Sequence, residues 1–217
     1  MLKNIKEARL FSSLILVTSI FIVIHLFHTY WGTPANDLFD IEVDNSLSEI
    51  FLYVQELGIV ILLFLLWREN KNILYLAWVL IFTYVLLDDS LLIHERIGVF
   101  LVDYFGVENN YGVRGRDITE VGVQLAFGIP LVTFAAWAHL FRGDQASRKT
   151  STILFFLLAL LATFAIIIDW FHVKIMIEGS KEIIGTIEDG GEMFIVTGIL
   201  WYVFRRYRAS HSLFGTA

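Results

Sequence analysis

The apolar positions of this chain fall in long blocks, not in short amphipathic periods. Leu10 to Tyr30 holds no formal charge, and neither does Ile73 to Leu87. Ile50 to Trp67 holds only Glu56, and Ile118 to Phe141 only Glu120. Ile153 to Met176 contains Asp169 and Lys174, and Ile183 to Phe204 contains Glu188, Asp189 and Glu192. Apolar windows of about 18 residues or more suit a bilayer core. The pattern predicts an all-α, polytopic membrane helix bundle with six transmembrane helices, at about 10–31, 48–67, 73–102, 117–141, 152–176 and 183–205. The connecting segments are short, so residues 1–217 read as a single integral membrane domain. The first block is too long for a signal-peptide core and no clear small-residue cleavage site follows it, so it reads as a retained helix.

Composition agrees with the blocks. Hydrophobic residues make up 57% and charged residues 18%, against about half and about a quarter in a soluble domain. Cysteine is absent, which excludes disulfides and thiolate metal sites.

Charge then orients the helices. If six spans alternate, Lys3, Lys6, Arg9, Arg68, Lys71, Arg142, Arg148, Lys149, Arg205, Arg206 and Arg208 share one side. Arg96, Arg114, Arg116, Lys174 and Lys181 take the other. The positive-inside rule makes both termini cytoplasmic and predicts a plasma-membrane protein, the inner membrane of a bacterium or archaeon. The acids do the reverse: only Glu7, Glu69 and Asp144 fall inside. A nucleic-acid partner lacks the basic footprint it would need. The expected partners are the lipid bilayer and other membrane subunits or a second copy.

The stretch "VLLDDSLLIHERIG", residues 85–98, puts charge into this apolar frame. At 1.5 Å per residue, Asp88 lies about 22 Å along a helix that starts at Ile73, past the middle of a ~30 Å core. Polar residues of the other helices reach the same outer level: Glu49 and Glu56, Asp117, Glu120 and Gln124, Asp169 and His172, Glu188 and Glu192. Spacings of 3, 4 or 7 place Glu49, Tyr53 and Glu56 on one face, and Tyr84, Asp88 and Glu95 on another. Charge facing lipid is costly, so these stripes should face inwards. The expectation is a polar cavity in the outer half, closed on the cytoplasmic side by apolar packing.

Several of these residues have simpler roles. Glu49, Asp117 and Glu95 are near enough to the interface to meet water. His25 and His28, beside Tyr30 and Trp31, fit an interfacial belt. Gly190 and Gly191 suit close helix packing. The deeper residues carry the chemistry. Carboxylates with imidazole and no sulfur suit a divalent metal, Mn, Fe or Zn ahead of Ca or Mg. The candidate ligands are Glu56, Asp88, Asp89, His94, Glu95, Asp169, His172, Glu188 and Glu192. Asp169 with His172, and Glu188 with Glu192, have the one-turn spacing that helical carboxylate metal sites use. Haem on His94 and His172 ranks below this, because acids nearby would repel its propionates. A Ser90–His94 nucleophile pair and a retinal at Lys174 rank lower still.

"LDDSLLIHERIG", followed later by "TIEDGGEMFIVTG", resembles a group of uncharacterised bacterial multipass proteins with a "DE…HE" helix and a later "EE…E" helix. The resemblance covers those two helices and implies that Asp88, Asp89, His94, Glu95, Glu188, Asp189 and Glu192 belong to one shared site. Asp-Asp and Glu-Asp stand here where the group tends to have Asp-Glu and Glu-Glu. No reaction follows from it. Three functions compete: a metal-binding protein, catalytic or not; an accessory subunit of a larger membrane complex; and a proton- or cation-coupled transporter.

Overall fold

The computed structural model describes residues 2–109, 114–168 and 181–214. Seven α-helices are described: α1 (Leu2–Trp31), α2 (Leu47–Asn70), α3 (Ile73–Leu91), α4 (Ile93–Phe105), α5 (Gly115–Phe141), α6 (Gln145–Ala162) and α7 (Lys181–Phe214). A π-helical turn, Thr163–Ile168, continues α6. Short polar signals set the helix starts. Ser46 accepts the Glu49 N–H at 3.3 Å, Asn72 the Leu74 N–H at 3.0 Å, and Asp144 the Ser147 N–H at 2.7 Å.

Among the described residues, five helical segments are long and apolar enough to cross a membrane: Glu7–Trp31, Leu47–Asn70, Ile73–Leu91, Gly115–Phe141 and Gln145–Ile168. That is one fewer than the six expected. The missing one is α7. Its acids Glu188, Asp189 and Glu192 lie too close to Arg205 and Arg206 for an apolar 18-residue window to fit between them. Packing still makes α7 the central helix, against α1, α2 and α6. Gly190 and Gly191 permit this: an added Cβ would meet Ile22 at the first and the Phe164 ring at the second.

The third expected span, 73–102, is two helices. Leu92 breaks it in the left-handed conformation, at φ 52° and ψ 47°. That backbone is costly for a branched residue and needs compensation. Asp88 supplies it. Its Oδ1 accepts the His94 N–H at 2.9 Å, so a side chain from the last turn of α3 caps the start of α4.

One end of the bundle carries the α2–α3 and α5–α6 turns. There Arg205 meets Glu7 at 3.5 Å, His211 meets Glu69 at 2.8 Å, and Asn72 donates to Asp144 at 3.3 Å. The half next to this end is filled with Leu63, Leu66, Trp78, Phe82, Leu154, Ile199 and Val203. A small polar chain crosses it, with Thr18 and Thr197 hydroxyls 3.2 Å apart and Thr197 donating to Gln55 at 2.8 Å. The acids gather in the other half.

Candidate functional site

The site is built around Glu56. Helix α2 turns its Ser48, Leu52, Glu56, Ile59 and Leu63 inwards at helical spacing, and the only strong charge on that stripe is Glu56. Its side chain is 1% exposed, and among the described residues neither carboxylate oxygen has a hydrogen-bond donor within reach. What it faces is another carboxyl, Asp89 of α3, within hydrogen-bonding range, with Glu192 and Glu49 as the next charges. Two carboxylates in contact, with no donor between them, need a proton or a cation to share.

Glu56, Asp88, Asp89 and Glu192 line a cavity of about 150 Å³, together with Tyr84, Gln124 and an apolar wall from α6 and the π turn. Above it lies a larger polar cavity of about 380 Å³. Asp89, Gln124 and Glu192 line both, so the two spaces adjoin. The outer wall adds Glu42, Asp44, Glu49, Asp117, Glu188 and Asp189, with Arg114 and Arg116 as the arginines among its described residues. Arg114 holds Asp117 through Nε, at 2.9 and 3.1 Å from the two oxygens. Arg116 bridges Glu95 of α4 and Glu120 of α5. These arginines serve the rim, not the Glu56 pocket.

The structure therefore sorts the sequence candidates. Glu56, Asp88, Asp89 and Glu192 come together around the inner cavity. Glu188 and His94 line the outer one. Glu95 is bound to Arg116, because the break at Leu92 takes it off the Asp88 stripe. Asp169 and His172 lie outside the described residues. Among the described residues, no three His, Asp or Glu side chains are arranged as a ready metal-ligand set. Ser90 donates to the Leu86 carbonyl at 2.5 Å, which removes it from a pairing with His94.

Asp88 has a double role. Its Oδ2 receives the Tyr84 hydroxyl at 3.3 Å and lies 3.1 Å from His94 Nδ1, close enough for an ion pair but too oblique for a good hydrogen bond. Burial pulls the His94 pKa down, but the Asp88 carboxylate beside it, then the charges of Glu95 and Asp89, push it above its ordinary value. A histidine raised in the folded state adds stability that is fully present below its unfolded pKa of about 6.5 and is lost as pH rises through the folded value. Asp88→Ala should lower stability by about 1–3 kcal/mol, since it removes both the cap and the charge. Asp88→Asn should cost less and flatten the loss of stability as pH rises above about 6.5. Thermal melts across that rise check both; equal pH slopes for wild type and Asp88→Asn would remove His94 from the account.

Sequence reasoning missed His25. Assigned to the interface by its neighbours, it is 1% exposed. Its Nδ1 lies 3.0 Å from Asp40, and its Nε2 is 3.1 Å from the Thr186 hydroxyl of α7 and 3.8 Å from Glu42. The loop between α1 and α2 thus folds over the bundle, with Ile41 buried beneath it. Gly185 lets Glu42 come down, because any Cβ there would strike its carboxylate. A lone apolar Ile41 between Asp40 and Glu42 was the available signal.

Fold and site together define a helical protein that has, among the described residues, five segments long and apolar enough to cross a membrane and a carboxylate-lined cavity in one half. Over residues 10–206 the chain matches a family described as a domain of unknown function (DUF8692), and it belongs to that family. No curated protein and no solved structure matches it.

Proposed function

We propose that this is a six-span plasma-membrane protein, with both termini cytoplasmic, that holds a divalent cation at Glu56, Asp89 and Glu192. The observation that carries the reading is the buried Glu56 carboxylate, donorless and facing Asp89. A cation reaching the acidic outer cavity would be attracted inwards, where its charge offsets the repulsion among the acids. Small side-chain rotations of Asp89 and Glu192 would complete the ligand set. The donors around the inner cavity are oxygens: carboxylates, the Tyr84 hydroxyl and the Gln124 amide. Such a set suits Mn²⁺, Mg²⁺ or Ca²⁺ more than Fe or Zn. The apolar packing beyond Glu56 favours a resident cation over a transported one.

The sixth span in this reading is α7. Its 34 residues reach about 51 Å at 1.5 Å per residue. Glu188, Asp189 and Glu192 line the cavity, so lipid need not meet their charge. The basic residues at the opposite end set the orientation. A cysteine replacing Asp37 should react with an impermeant maleimide in intact cells, and one replacing Lys149 should not; the reverse labelling would overturn the orientation.

A second reading is favoured by the absence of a ready three-ligand set among the described residues. In it Glu56 and Asp89 share one proton and the chain is an accessory subunit. Equilibrium dialysis against Mn²⁺ followed by elemental analysis separates the two. About one ion retained per chain is expected; none retained leaves the shared proton.

A further inference from the structure

We propose that the carboxylate pocket takes the head of a single-chain amphiphile with a cationic head group, such as a long-chain amine, whose tail lies in a groove between α3, α5 and α6. The inference rests on the reading of Glu56, Asp89 and Glu192 as a cation site, and it names a class of cation for that site.

The groove is a distinct apolar space of about 440 Å³, larger than the acid cavity beside it. It exists because α5 packs on α3 and α4 while α6 packs on α7, and the two helices scarcely touch each other. At roughly 30 Å³ for a water-sized group, it has room for about fifteen such units. Leu125 and Ile129 line it and are also exposed, so it opens on the surface of the bundle. Both residues belong to a segment apolar enough to span a membrane, so that surface faces lipid chains.

The groove does not end blindly. Tyr84, Val85, Gln124, Leu158, Ala162 and Ile166 line both it and the acid cavity. An apolar chamber open to the bilayer thus adjoins a pocket whose charged residues, among those described, are the carboxylates Glu56, Asp88, Asp89 and Glu192. Charge complementarity selects the occupant. An ammonium head is attracted and desolvated beside carboxylates, whereas a phosphate, sulfate or carboxylate head is repelled. A short amine would find the same charge but none of the apolar burial, which grows by about 0.8 kcal/mol for each CH₂.

The test uses the full-length protein in nanodiscs with radiolabelled hexadecylamine, corrected for uptake by protein-free nanodiscs. The variants are Glu56→Gln and Gly128→Leu. Gly128 lines the groove, and a Cβ there meets nothing within 4 Å, so the leucine fills the groove without a clash. Saturable binding of about one amine per chain is expected in the wild type. It should fall at least tenfold in both variants, while Gly128→Leu keeps its Mn²⁺ binding. Propylamine and hexadecyl sulfate should not compete. Should Gly128→Leu fail to fold, Ala159→Phe takes its place, since Ala159 lines the groove and not the acid cavity. Equal amine binding in wild type and the groove variants, or competition by hexadecyl sulfate, overturns the inference even if Mn²⁺ binds. Amine binding without Mn²⁺ binding would instead overturn the metal and leave the amphiphile.

Discussion

Replacing Glu56 by Gln should make the cation-free protein more stable. Glutamine has nearly the shape of glutamate, and its amide can donate to Asp89, where now a carboxyl faces a carboxyl. Without a cation the two carboxyls need a shared proton, and the glutamine amide makes that hydrogen bond with no proton taken up. The expected gain is about 0.5–1.5 kcal/mol. For a chain of this length, each 1 kcal/mol moves the melting temperature by roughly 2–4 °C. The sign should reverse when Mn²⁺ is present. At a concentration 100 times its Kd, a bound ion stabilises by about 2.7 kcal/mol, and only the wild type has the ligand to collect it. The readout is the melting temperature of both proteins in chelator and in excess Mn²⁺. A wild type that is the more stable in chelator would mean that Glu56 already has a favourable partner.

Replacing His25 by Ala should release the loop that covers the cavity. The imidazole joins Asp40 of the loop to Thr186 of α7, and its Nδ1 also lies 3.4 Å from the Ile41 N–H. Losing these contacts and leaving a void should cost about 2–4 kcal/mol. The effect should also be local. Backbone amides near Ile41 should exchange hydrogen much faster, while those of α2 and α3 near Leu63 and Trp78 stay protected, since that core lies in the other half. Mn²⁺ should exchange faster in both directions with little change in its equilibrium affinity. A large loss of affinity would instead make His25 part of the cation site.

The sequence showed the helices and the depth of the acids, because long apolar runs and one-turn spacings are local properties. Glu49, Tyr53 and Glu56 do form one stripe, with the Tyr53 hydroxyl 2.8 Å from Glu49. Helical extrapolation failed where a side chain overrode it. Asp88 caps α4 across the break at Leu92, and no periodicity announces a left-handed leucine. Glu95 was lost to Arg116 for the same reason. A hydropathy window counts charges whichever face they occupy, and the charges of α7 leave it outside the five apolar segments. The contact of Glu56 with Asp89 depends on how α2 rotates against α3, which is set by Leu52, Ile59 and Phe82 in the shared core. That rotation is tertiary information, as is the folding of Asp40 over His25.

The central claim is that Glu56 and Asp89 face each other in order to share a cation. Its most direct test is a calorimetric titration of Mn²⁺ into wild type and Glu56→Gln, each purified in chelator and exchanged into buffer near neutral pH. A single saturable site in the wild type, with proton release on binding and no measurable site in the variant, is the result expected. Two indistinguishable isotherms, or no heat beyond dilution in the wild type, would contradict it.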